Sequence, residues 1–182
     1  MEFIRDRALK LKPMRAKQIV AVIVLLAVVF LIIVPPLLNG GVKVTLSSTT
    51  SVRADHLYVT IGEISAQRAD LSGSPAWQSI SNQSTVLDLT LANMSETVAL
   101  GTLPLGQYET VRVMVTNATA IINGTSQKVQ LESRVFTIPV SFLTQFGTST
   151  VIMLKVSPEV QETADGVNLK LSFTGVPANA SP

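Results

Sequence analysis

The sequence predicts an all-β fold: an antiparallel β-sandwich, Greek-key or similar, standing outside a membrane behind one N-terminal transmembrane α-helix. Three observations carry that prediction. Residues 19–38, IVAVIVLLAVVFLIIVPPLL, contain no charged or polar side chain. From Val42 onward apolar residues recur at alternate positions, the period of a strand with one buried face. Pairs of turn-forming residues, Asn123-Gly124 and Asp165-Gly166 among them, interrupt the alternation repeatedly.

Residues 1–18 form a basic tail, with Arg5, Arg7, Lys10, Lys12, Arg15 and Lys17 against Glu2 and Asp6. Residues 19–38 follow; twenty helical residues rise about 30 Å, the thickness of a bilayer's hydrocarbon core. Lys and Arg gather on the cytoplasmic side of a spanning helix, so the tail is expected inside and the rest outside. A cleaved signal peptide has an apolar region of about 7–15 residues followed by a small-x-small site. This run is longer, and Leu37-Leu38-Asn39-Gly40-Gly41 makes a poor site. A pilin-like leader would need cleavage near Arg15-Ala16-Lys17, a weak match. Retention as an anchor is the expectation.

Residues 39–41 are read as a short joint, 42–176 as the extracellular β domain and 177–182 as a flexible end. Val42, Val44 and Leu46 alternate with Lys43 and Thr45. Leu57, Val59 and Ile61 do the same, and Gly62 permits a bulge that returns Ile64 to the buried face. Trp77 and Ile80 flank a short element, and Leu87, Leu89 and Leu91 fall in phase. After a brief strand at residues 98–100 comes a Pro/Gly corner, Leu103-Pro104-Leu105-Gly106. The clearest strand follows, with Val111, Val113 and Val115 on one face and Thr110, Arg112, Met114 and Thr116 on the other. Asn123-Gly124 is a strong hairpin signal leading to residues 128–131. Strands at 135–142, 150–156 and 167–175 complete eight to ten.

Charge and composition narrow the function. Residues 41–182 carry 8 basic and 10 acidic side chains, so the overall +2 belongs to the tail. Without a basic surface on the folded part, nucleic acid is not expected as a partner. The absence of cysteine removes thiol catalysis, thiolate metal ligands and disulfides.

The asparagines are more informative. Asn82, Asn93, Asn117, Asn123 and Asn179 each begin an N-x-Ser/Thr triplet without proline at x. Seven asparagines and 35 Ser plus Thr in 182 residues predict about 1.3 such triplets by chance. Five therefore point to covalent N-glycans and an exterior location, and the pairing of many sequons with no cysteine suits an archaeal cell surface.

No chemistry beyond this is expected: no catalytic, cofactor-binding or metal site. His56 is the sole histidine and sits at the start of a strand. A triad with Asp55 or Asp88 is formally available, but no G-x-S-x-G elbow marks a nucleophile. Glu159 and Glu162, near Pro158 in an expected loop, read as solvated charge. Tyr108 is expected to close a corner by bonding its hydroxyl to the preceding loop. Arg112 is expected to pair with Glu109, Glu63 or Glu132.

Several stretches together resemble the domain-of-unknown-function family 4382. They are Gly41-Val-Lys-Val-Thr-Leu, His56-Leu-Tyr-Val-Thr-Ile-Gly-Glu-Ile, Trp77, Asp88-Leu-Thr-Leu and Leu103-Pro-Leu-Gly-Gln-Tyr-Glu-Thr-Val-Arg-Val-Met-Val. The resemblance covers residues 41–174. Two departures stand out: Ser47-Ser48-Thr49 where the family often has Asp-Ala-Pro, and Leu154-Lys155-Val156 in place of an acidic strand. The resemblance implies an exported or membrane-anchored β-rich domain and no reaction. The expected role is structural, adhesive or envelope contact, through the lipid bilayer at residues 19–38 and other envelope or membrane proteins by edge-strand addition. A subunit of a surface filament or motor anchor, and an accessory subunit of an integral membrane complex, remain the alternatives.

Overall fold

A run dominated by leucine, isoleucine, valine and alanine builds most of α1 (Ala16–Leu37), 22 residues long. The computed structural model describes residues 16–48, 52, 54–69, 77–91, 94–163 and 166–177; of these, the side chains of 16–18, 32–37, 162–163 and 177 lie outside the description. Along residues 19–31 the large side chains are apolar and exposed on every face, from 42% at Val22 to 71% at Leu31. Among the described residues no helix is long and apolar enough to cross a membrane.

The chain divides after Pro36, and the second unit is all strand. Its ten strands are β1 (Asn39–Ser48), β2 (His56–Arg68), β3 (Trp77–Ser81), β4 (Thr85–Asp88), β5 (Met94–Pro104), β6 (Gly106–Ile122), β7 (Thr125–Leu131), β8 (Val135–Thr144), β9 (Ser149–Thr163) and β10 (Gly166–Pro177). They hydrogen-bond in the order β3-β2-β6-β7-β10-β9-β1-β5, with β4 also on β2 and β8 also on β6. The result is one sheet curled into a nearly closed barrel, where the sequence suggested the two faces of a sandwich. The cause is β7. Thr125–Lys128 pairs with β6, and the next three residues, Val129, Gln130 and Leu131, pair with β10. One strand thus carries the first half of the sheet into the second.

The expectation of purely antiparallel pairing also needs correction. β1 runs parallel to β9 and β7 parallel to β10. Alternation records which face of a strand is buried, and it carries no information on the direction of a neighbour distant in sequence. Three local readings change too. Residues 39–41 open β1, paired to Thr102, Leu103 and Pro104, instead of forming a joint. Pro158 lies within β9, two residues beyond the last rung with β1, so that edge has no partner to lose there. Leu91 is exposed because β4 stops at Asp88 and the chain turns.

Inside the barrel the predicted alternation holds. Val42, Val44 and Leu46 meet Leu57, Val59, Ile61 and Ile64, and Val111, Val113 and Val115 meet Ile152, Leu154 and Leu169 in one continuous buried cluster. The bulge expected at Gly62 is present: β2 slips against β6 between Ile61 and Ile64. A second slip puts Val115 opposite Ile61 but Asn117 opposite Thr60, leaving Thr116 as an extra residue in β6. It reverses the phase of the strand, so Ala118 and Ala120 point inward and Asn117 outward.

The strands define two rims. Asn39, Pro104, Arg68, Gly106, Thr144, Ser149 and Pro177 meet at the end nearer α1 in the chain. His56, Ile121, Asn123 and Gly124 mark the far end of β2 and β6.

Candidate functional site

At the far rim, the start of β2 and the end of β4 bring three functional groups together. His56 Nδ1 lies 2.7 Å from Asp88 Oδ2, and the His56 ring stacks on Tyr58 at 5.5 Å between centroids. Of the two aspartates named as partners, Asp88 is the one used. Asp55 instead accepts the Gly124 N–H at 2.9 Å and ties down the β6–β7 hairpin. Asp88 also accepts the backbone N–H groups of Leu57 and Thr90, at 3.3 and 3.1 Å, and the Thr90 hydroxyl at 2.5 Å. The Asp88–Thr90 bonds form the turn that ends β4.

Burial pushes the Asp88 carboxyl upward, but the bonds from the Thr90 hydroxyl, His56, the Thr90 N–H and the Leu57 N–H outweigh it. The net position is below the usual 3.8. The Thr90 hydroxyl donates to Asp88, and the Tyr58 ring lies against the imidazole. The imidazole–carboxylate pair bonds the start of β2 to the end of β4. Among the described residues no three His, Asp or Glu side chains converge.

This pairing has a pH signature. A carboxyl depressed in the folded state stabilises the fold above pH 3.8, and that contribution is lost as the pH falls through its folded value. Asp88→Ala removes every one of these bonds and is expected to cost about 2 kcal/mol at neutral pH. Urea unfolding at pH 7 and at pH 3 checks both statements, since the gap between the variant and the parent should narrow in acid.

The other expected side chains fall into structural roles. Tyr108 is fully buried, and its hydroxyl donates to Pro104 O at 3.0 Å, closing the β5–β6 corner as anticipated. The Thr144 hydroxyl reaches the same carbonyl at 2.7 Å. Arg112 takes none of the three glutamates. Its guanidinium carbon sits 3.6 Å above the Trp77 ring, a cation–π contact across the outer face of β2. The outward direction was legible; the aromatic partner on β3 depended on strand order. Glu159 lies on β9, where its Oε1 accepts from Gln161 Nε2 at 3.1 Å; the Glu162 side chain lies outside the described residues.

The sequons are also split. Asn82 is exposed beyond β3, with its Oδ1 accepting the Ser79 hydroxyl at 2.7 Å. Asn117 is exposed on β6 because of the Thr116 bulge. Asn123 stands at the tip of the β6–β7 hairpin with φ +50°, followed by Gly124 at φ +73°, the two positive values that a two-residue hairpin turn requires. Asn93 and Asn179 lie outside the described residues.

Two open clefts flank β7 as it crosses between halves of the sheet. One, about 510 Å³, is lined by Asn117, Lys128 and Arg134 among others. The other, about 370 Å³, is lined by Gln130, Glu132 and Lys170. Sequence reasoning missed both, because the first arises where β7 and β8 part on β6 and the second where β7 joins β10, pairings between strands that the sequence does not show. A third, shallow cleft lies between the β3–β4 edge and the β5 edge, beside Ser81, Thr85, Thr97 and Leu100.

No curated protein and no solved structure matches the chain. Residues 39–174, from the first residue of β1 into β10, match the family described as Domain of unknown function (DUF4382); the match covers three quarters of the chain, which belongs to that family.

Proposed function

We propose that this protein is a membrane-anchored, N-glycosylated cell-surface β domain with a structural, adhesive or envelope-contact role and no catalysis of its own. The observation that carries this reading is α1, whose described side chains are apolar around the whole circumference. Such a helix needs an apolar surrounding on all sides, which a bilayer supplies. The uncharged run continues in sequence to Leu38, long enough to span.

Two further features support it. Asn82, Asn117 and Asn123 are open to solvent, as attachment of a sugar to the side-chain amide demands. Beyond the close approach of β3 to β5 at Ile80 and Gly101, the β4 and β5 edges expose Val86 at 60% and Leu100 at 70% beside a cleft. A partner's extended segment has backbone and apolar groups to meet there, which favours strand addition as the mode of envelope contact.

Intact-mass analysis of protein extracted from native membranes is the test. The expected species keeps residues 19–38 and exceeds the 19.5 kDa polypeptide by discrete glycan increments. Asn82→Gln, Asn117→Gln and Asn123→Gln should each remove one increment. A bare polypeptide recovered without detergent would overturn the reading.

A further inference from the structure

The rim of the barrel at which β1 begins exposes apolar side chains where strand ends and turns ordinarily carry polar ones. Phe146 occupies the turn between β8 and β9 and is 57% exposed. Leu143, in the last turnward stretch of β8, is 50% exposed, and Leu38, one residue past α1, is 59% exposed. Phenylalanine has no conformational use in a tight turn, where Gly, Asn, Asp and Ser are preferred. One exposed ring alone would need no explanation, but three large apolar side chains on one rim favour an apolar neighbour.

The covalent path says what that neighbour is. From Leu37 to Gly40 the chain spans at most about 10 Å. Gly40 lies against the turn itself: a Cβ built on it would stand 2.8 Å from Gln145 O and 3.2 Å from Thr144 Cβ. Gly41 N–H donates to Thr148 O at 3.2 Å, and Gly41 pairs with Ser149. The Leu105 N–H donates to Leu38 O at 3.0 Å, binding the β5–β6 corner to the same point. The β8–β9 turn that carries Phe146 is therefore held, through the residues on either side of it, to the start of β1. Arg68, exposed on this rim, places its guanidinium beside Gly106, with Nε and Nη2 each 3.1 Å from the Gly106 Cβ position.

We propose that the β8–β9 turn, with Phe146 at its tip, seats in the headgroup layer of the membrane that holds α1, with Arg68 facing lipid phosphates. This rests on the anchor reading above. An aromatic ring and a guanidinium on one rim match the interface, where the ring's apolar body and the cation each find a partner.

The chain has no cysteine, so single nitroxide labels can be placed without background. Full-length Phe30→Cys, Phe146→Cys and Asn123→Cys, each labelled and reconstituted in anionic phospholipid vesicles, are compared for collision with oxygen, which concentrates in lipid, and with a water-soluble nickel chelate. The expected result is a lipid-like ratio at position 30, an intermediate one at 146 with nickel access several-fold below that at 123, and a fully aqueous one at 123. Aqueous behaviour at 146 equal to that at 123, with 30 still in lipid, overturns the seating and leaves the anchor standing. Exclusion of both reagents at 146 means that protein covers the turn, and also overturns it. Aqueous behaviour at position 30 overturns the anchor and the seating together.

Discussion

Gly101→Val is expected to leave the barrel unable to close between β3 and β5. A Cβ on Gly101 would stand 2.0 Å from the backbone oxygen of Ile80 and 3.0 Å from its carbonyl carbon. The obstacle is main chain, so no rotamer change relieves it. β3 is itself held to β2 by only four rungs, with a register shift between Ile64 and Ser65. Accommodation therefore means moving β3 off the barrel, which uncovers Ile80 and the Trp77 ring beneath Arg112. Overpacking of this kind costs about 3 kcal/mol or more. Gly101→Ala should already show much of the loss, because the first carbon makes the collision. Chemical denaturation of the full chain in detergent, followed by far-UV circular dichroism, measures it. A variant as stable as the parent would mean that β3 does not lie against β5.

Tyr108→Ala is expected to cost about 4 kcal/mol, in the range for deleting a fully buried aromatic ring. The ring stacks on Phe142 with centroids 5.1 Å apart, and its hydroxyl ties the β5–β6 corner to Pro104. Tyr108→Phe separates the two contributions. It keeps the stack and loses one hydrogen bond, and Pro104 O retains the Thr144 hydroxyl, so about 1 kcal/mol is expected. Alkaline pH gives an independent check. Burial pushes the Tyr108 hydroxyl above its usual 10, with Arg68 pulling it partly back. A raised folded value means the stabilisation is full below pH 10 and is lost as the pH climbs through that value. Tyr108→Phe should lack this alkaline loss, and equal loss in both proteins would place the titration elsewhere.

Much of the barrel was legible residue by residue. The buried face of β1, the Gly62 bulge, the Asn123-Gly124 hairpin and the Tyr108 corner each depend on a few neighbouring residues and on backbone geometry that those residues impose. The reading failed where the determinant was remote. Strict alternation from Val111 would turn Asn117 inward; the Thr116 slip that turns it outward exists only because β2 lies alongside with its own bulge. Arg112 had three nearby glutamates in prospect, and the strand order gave it Trp77. His56 had two aspartates, and the pairing of β2 with β4 chose Asp88.

By itself the sequence determined that residues 19–38 form an uncharged apolar run, that strands with one buried face follow it, and where the tight turns fall. These are consequences of local chemistry: side-chain period, turn preference and the absence of charge. The tertiary structure decided that the strands close into a nearly complete barrel through β7, that two pairings are parallel, and that Thr144 and Gln145 lie against Gly40. Those outcomes depend on which distant backbone groups find each other, and alternation is the same on a strand whichever neighbour it takes.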